Sequence, residues 1–342
     1  MKKLLTGLFC LVALFALASC GAKEYKLGMG VLVSSSSKTG TAQIDSTVAA
    51  VVTDSNGKIV ACRIDALQNK ASITDGVLAS TNLTSKAELK EAYNMAAFGH
   101  SLIGNEKVLE WYLQAQAFEA YVVGKTVEEV KNMEMQTMEN GYVISADEAL
   151  LNAGCTIQVT EFINALVKAA NDDQATTFST SKDFTLGVSI NGEFNSKCAN
   201  ATADAAGAAH LYSEYAAVVL VDGKIVAALN DAIQPSVSVN FDGSCGELSY
   251  KGTKRELKEG YNMAAFGHSL VGNEKVVEWY LQSASFSAHI VGMTSAEVAA
   301  MATQTMSNGY VISADEALLS TGCTMQITGM QAAVVDAIAN AR

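Results

Sequence analysis

Asn140 to Thr156 reads NGYVISADEALLNAGCT, and Asn308 to Thr324 reads NGYVISADEALLSTGCT. Only Asn152-Ala153 against Ser320-Thr321 separate the two copies. Ser145 with Glu148 has the spacing of a capping box that opens a turn or two of helix. Gly154 supplies the positive φ that ends that helix, and Cys155 reads as a small buried residue. Thr156 and Thr160 then precede a second helix, where their hydroxyls can satisfy free backbone N–H groups. Phe162, Ile163, Leu166, Val167 and Ala170 give that helix an apolar face.

Working outward, the repetition covers much more than these segments. Tyr93–Leu102 (YNMAAFGHSL) recurs unchanged at Tyr261–Leu270, in a register that holds through the shared Gly-Cys-Thr. The earlier parts have diverged, but Val51-Val52 through Gly57-Lys58-Ile59-Val60 still parallels Val218-Val219 through Gly223-Lys224-Ile225-Val226. Two copies at so long a period imply tandem globular domains, each with its own core, and not a solenoid. The expected division is a leader over 1–19, one repeat over 20–170, a polar linker over 171–182 (NDDQATTFSTSK) and a second repeat over 183–342.

Within a repeat, Val48–Thr53 and Lys58–Ile64 are β-rich runs flanking Ser55-Asn56-Gly57, a hairpin signal that shortens to Asp222-Gly223 in the second copy. Lys86–Ala97 has helical composition, with Gly99 and Gly104 interrupting it. Val108, Trp111, Ala115, Phe118 and Val122 mark one face of a helix that stops at Gly124. Thr126 with Glu129, and Thr294 with Glu297, form capping boxes for the next short helix. A hairpin followed by helices makes the fold class α+β: tandem duplicated domains, each a hairpin-containing sheet with several helices.

The N-terminus has a processing pattern. Met1-Lys2-Lys3 is basic, Leu4–Ala16 is apolar but for Thr6 and Gly7, and Leu17-Ala18-Ser19-Cys20 follows. A charged start, a short apolar core and small residues before a cysteine read as a secretory signal. The tetrapeptide resembles a bacterial lipobox, which implies lipidation of Cys20 and anchoring at the outer face of a membrane. An ordinary signal peptide with a coincidental cysteine is the other reading.

Formal net charge is −12, which argues against a nucleic-acid partner. Four histidines (His100, His210, His268, His289) and no CxxC give no metal-ligand spacing, so no metal is expected. Cys62, Cys155, Cys198, Cys245 and Cys323 remain beyond the leader, and Cys198 with Cys245 could pair. No Ser-His-Asp, paired-carboxylate or phosphate-loop pattern supports hydrolase chemistry, and no catalytic residue is assigned.

The stretch Gly154-Cys155-Thr156-Ile157-Gln158-Val159-Thr160-Glu161-Phe162-Ile163-Asn164-Ala165 resembles the end of the FMN-binding domain of bacterial exported flavoproteins. That domain carries a Ser/Thr-Gly-Ala-Thr motif followed by an apolar helix, after an early hairpin with a Gly-Lys-Ile turn like Gly57-Lys58-Ile59 and Gly223-Lys224-Ile225. Cys155 and Cys323 stand where the family has Ala; Ala153 stands where Ser or Thr is usual, and Thr321 fits. The resemblance implies FMN carried in phosphoester linkage on Thr156 and Thr324, with Gly154, Cys155, Gly322 and Cys323 beside it. It further implies a flavin transferase that presents FAD to an exposed hydroxyl, and the first turn of the next helix as a seat for the phosphate. Lipid-anchored proteins with two such units relay electrons outward from a membrane quinol-oxidising partner. The resemblance therefore implies an electron carrier more than a turnover enzyme.

Two other readings stay open at this point. One is a surface lipoprotein that binds a solute or partner noncovalently, without redox activity. The other is a thiol redox protein using Cys155 and Cys323. His100 and His268 are candidate ligands or structural histidines. Trp111-Tyr112 and Trp279-Tyr280 are candidate stacking partners for a ring or core residues.

Overall fold

The computed structural model describes residues 21–99, 103, 108–266, 271 and 276–342. The leader with Cys20, as well as Gly104, His100 and His268, lie outside the described residues.

The first half begins with β1 (Lys23–Ser35), β2 (Thr41–Asp54), β3 (Ile59–Thr74) and β4 (Val77–Asn82), each strand antiparallel to the one before it. The hairpins are much longer than the local pattern suggests, because β2 pairs with β1 from Ile44 onward and with β3 along nearly its whole length. Then follow α1 (Lys86–Leu89), α2 (Trp111–Val122), α3 (Val127–Lys131), a small hairpin of β5 (Met135–Thr137) and β6 (Val143–Ser145), α4 (Glu148–Asn152) and α5 (Thr160–Ala170). β7 (Thr176–Thr180) joins the free edge of β1. The polar 171–182 stretch is thus not a plain linker, since its middle is the fifth strand of the first sheet.

The second half repeats this order. β8 (Thr185–Phe194), β9 (Gly207–Val221), β10 (Lys224–Ile233), β11 (Ser236–Val239) and β12 (Cys245–Ser249) form its sheet. β10 and β11 lie end to end along β9, separated at Pro235, the only proline in the chain. Proline has no N–H for the ladder, and its carbonyl still accepts from Leu211 N–H at 3.1 Å. The helical part comprises α6 (Lys254–Leu257), α7 (Trp279–His289) and α8 (Ser295–Ala299), the hairpin of β13 (Thr303–Thr305) and β14 (Val311–Ser313), α9 (Glu316–Ser320) and α10 (Thr328–Ala339).

The fold is α+β, with antiparallel sheets, and the two sheets also pack on each other. Val48, Ala50 and Val52 of β2 pack with Leu186, Val188, Tyr215, Ala217 and Val219 of the other sheet. The residues between them, Ala49 and Val51, face the first-half helices. Likewise Ala216 and Val218 face Phe286, Val334 and Ala337. The layers run helix, sheet, sheet, helix. Such a sheet is covered on both faces, which is why 48–52 reads as an unbroken apolar run instead of an alternating one. Each half thus has a helix-side core of its own, and a further cluster between the two sheets is shared by both.

Close helix–sheet approach depends on two strand glycines. A Cβ at Gly28 would lie 1.9 Å from the carbonyl oxygen of Ala169, and one at Gly187 would lie 1.8 Å from that of Ala337. Side chains there would push α5 and α10 off their sheets.

Lys86–Ala97 is not one helix. It breaks into α1 and two 3-10 turns, Lys90–Tyr93 and Met95–Phe98, with Lys90 at φ 47° and Asn94 at φ 61°. Composition favoured a helix there; capping and tertiary contacts set three short turns instead. Ser85 caps the first of these with Glu88 in a capping box.

Candidate functional site

The Gly-Cys-Thr segment is held from both sides. Asp147, not Ser145, caps α4, its carboxylate accepting from Ala149 N–H at 2.9 Å, while Ser145 Oγ accepts from Asp147 N–H at 3.0 Å. The capping box expected of Ser145 and Glu148 does not form, and the cap sits two residues later at Asp147. Tyr121 hydroxyl donates to Asp147 at 2.5 Å, and this bond lowers the Asp147 pKa. Gly154 has φ +92° and Gly322 φ +88°, as the turn requires. The carbonyl of Leu150 accepts from Cys155 N–H at 3.2 Å.

Thr156 follows, its backbone N–H donating to Gln114 Oε1 at 2.8 Å. Gln114 Nε2 donates in turn to Leu109 carbonyl at 2.7 Å. Thr324 has the same arrangement with Gln282. The hydroxyls expected to stand exposed on a tight turn do not: Thr156 is 5% exposed and Thr324 6%. Helices α5 and α10 begin without a side-chain cap, so the expected capping by Thr160 is absent as well.

In the first half, Thr156 lines a cleft of about 660 Å³. One wall is Asp45, Ser46 and Thr47 of β2 with Gln68 of β3; the other is Lys86, Tyr93, Met95, Trp111, Tyr142, Glu161 and Phe162. Lys86 Nζ sits 5.1 Å from the Tyr93 ring centroid and 5.4 Å from that of Trp111. Burial lowers the Lys86 pKa, opposed by Asp45 and Glu161. Thr47 hydroxyl donates to Glu161 Oε2 at 3.1 Å. Trp111 is both core and cleft wall, meeting Phe162 edge-on at 5.5 Å. Tyr112 and Tyr280 instead turn outward and donate to Glu91 and Glu259, each at 2.8 Å.

The second half carries the same lysine and tryptophan in different surroundings. Lys254 lies 5.1 Å from the Trp279 ring and 4.7 Å from Tyr212. By strand register Tyr212 stands where the first half has Asp45, and Glu214 where it has Thr47. Tyr212 hydroxyl donates to Glu214 Oε1 at 2.6 Å and accepts from Lys254 Nζ at 3.3 Å. Gly329 replaces Glu161, and a Cβ there would meet the Glu214 carboxylate at 2.7 Å. The carboxylate of the Thr47–Glu161 pair thus sits on the helix in the first half, and that of the Glu214–Gly329 pair sits on the strand in the second. Burial lowers the Lys254 pKa to about 8 and raises that of Glu214.

Cys155 and Cys323 are fully buried, and desolvation pushes both thiols up to about 12. A thiol that holds its proton this strongly is a poor nucleophile, so these two are packing residues beside the threonines. Cys198 and Cys245, which could have paired, are both free thiols. Cys198 Sγ instead accepts from His210 N–H at 3.3 Å.

Residue type in sequence did not single out Gln114 and Gln282; their identical spacing of 42 residues from the two threonines is the signal that would have. The chain matches no family model, no curated protein and no solved structure.

Proposed function

We propose that the protein is a lipid-anchored, exported flavin carrier, with FMN held in the first-half cleft through a phosphoester to Thr156. Supporting this reading above all is the placement of Thr156 in the wall of a cleft of about 660 Å³ whose other walls include Tyr93, Trp111 and Tyr142. A cleft this size suits a tricyclic ring, and aromatic walls favour stacking on it. Lys86 supplies a cation beside the rings, and the uncapped start of α5 supplies N–H groups four residues after Thr156. The flavin, when bound, supplies reversible one- and two-electron chemistry. The chain's residues orient it and exclude water.

Attachment balances as a phosphoryl transfer. The Thr156 oxygen–phosphorus bond forms as the pyrophosphate bond of FAD breaks, AMP leaves with the electron pair, and the hydroxyl proton passes to solvent. A flavin transferase, a membrane quinol-oxidising donor and a lipid anchor on Cys20 complete this reading.

The near-burial of Thr156 favours a second reading, a solute held noncovalently in the same cleft. Intact mass of the protein from its own host, before and after denaturation, separates the two: a covalent FMN increment survives unfolding and a noncovalent solute does not.

A further inference from the structure

We propose that only one of the two repeats is a flavin seat, and that Tyr212 and Glu214 close the other. This rests on the covalent-FMN reading above. The repeated Gly-Cys-Thr segments, their glutamines and their threonine burial are alike in both halves, so the turn itself does not discriminate. The discriminating residues face the turn from β2 and β9.

In the first half these are Asp45 and Thr47, short side chains that leave the cleft open. In the second half, a tyrosine and a glutamate occupy the matching register positions; Tyr212 donates to Glu214 and accepts from Lys254. Tyr212 packs onto the second-half core, and Glu214 is 7% exposed. Gly329 makes room for that carboxylate, where the first half has Glu161. Three linked differences therefore act in one direction. The lysine that lies beside the cleft in one half is hydrogen-bonded in the other to a tyrosine that a buried acid holds in turn, and a ring would have to displace that tyrosine and its partners.

Thr324 then keeps only the structural role it shares with Thr156, the N–H bond to the helix glutamine. Loading then depends on the cleft and not on the Gly-Cys-Thr signature, which both halves contain.

The test is intact mass and peptide mapping of the chain co-expressed with a flavin transferase. A second sample carries Tyr212→Asp, Glu214→Thr and Gly329→Glu, which restores the first-half set. The expected result is one FMN increment in the wild type, mapped to the peptide containing Thr156, and a second one at Thr324 in the triple variant. Two increments in the wild type, or a single one on Thr324, overturn this inference while leaving the flavin reading intact. A wild type with no increment overturns both. A folded triple variant that still carries one increment removes Tyr212 and Glu214 as the closing groups; should that variant not fold, the wild-type map alone decides.

Discussion

Gln114 Oε1 accepts the backbone N–H of Thr156 at 2.8 Å from inside helix α2, 42 residues earlier in the chain. This one bond ties the Gly-Cys-Thr turn to the helix that carries Trp111, so the aromatic wall and the threonine keep a fixed relation. Gln114 is fully buried.

Replacing Gln114 by Leu should leave the Thr156 N–H buried and unsatisfied, at a cost of about 1–3 kcal/mol. Urea denaturation checks the stability change. The yield of modified Thr156 should fall as well, because the turn loses its orientation. Gln114→Glu, which keeps the acceptor, should recover part of that yield; a purely structural role would recover stability without it.

Gly28→Ala should be more damaging than its size suggests. The added methyl would meet the Ala169 carbonyl at 1.9 Å, and α5 must lift from the sheet. Overpacking of this kind costs about 1–3 kcal/mol. At Gly57, φ is +76° with open space around the Cβ, so Gly57→Ala should cost only about 1 kcal/mol of backbone strain. Comparing the two urea midpoints separates close approach from conformational strain.

Burial pushes the Asp65 carboxyl up to about 7 and that of Asp231 up to about 6, from the ordinary 3.8. Between these values the folded protein binds protons that the unfolded chain releases. Stability from these groups is therefore fully present below pH 3.8 and declines as pH rises to 7, by at most about 1.4 kcal/mol per pH unit for each group. Asp65→Asn keeps an acceptor for Ala66 and Ala87 N–H and should flatten the decline between pH 4 and 7. Denaturation midpoints across that range measure it; an unchanged slope would show that Asp65 does not titrate this way.

Thiol alkylation should divide the cysteines by burial. Cys62, Cys155 and Cys323 are buried with raised pKa values, whereas Cys198 and Cys245 are partly exposed. Under native conditions the latter pair should react first, and the other three only on unfolding. Rapid native labelling of Cys155 or Cys323 would bring back thiol chemistry for the Gly-Cys-Thr turn.

Local signals carried far in this chain. The capping boxes of Thr126 and Thr294, the buried face of α5 and the positive φ of Gly154 and Gly322 all follow from residues within a few positions of one another. What sequence hid was set at longer range. The run 48–52 is apolar on both strand faces, but nothing in it says that a second sheet covers one of them. The 171–182 stretch is polar because Thr177 and Ser179 are exposed, yet Phe178 turns inward and makes an edge strand. The exchange of Thr47 and Glu161 for Glu214 and Gly329 joins a strand to a helix more than a hundred residues away, so neither position is informative alone. The cleft is likewise legible only once β2, α1, α2 and α5 are brought together.

The most direct measurement is the intact mass of Thr156→Ala beside the wild type, both co-expressed with a flavin transferase and denatured before analysis. The wild type should carry one FMN increment with visible absorbance, and the variant should carry none while keeping the wild-type unfolding free energy in urea to within about 1 kcal/mol. An increment that persists in Thr156→Ala, or a wild type that emerges unmodified, would contradict the assignment of Thr156 as the flavin-bearing residue.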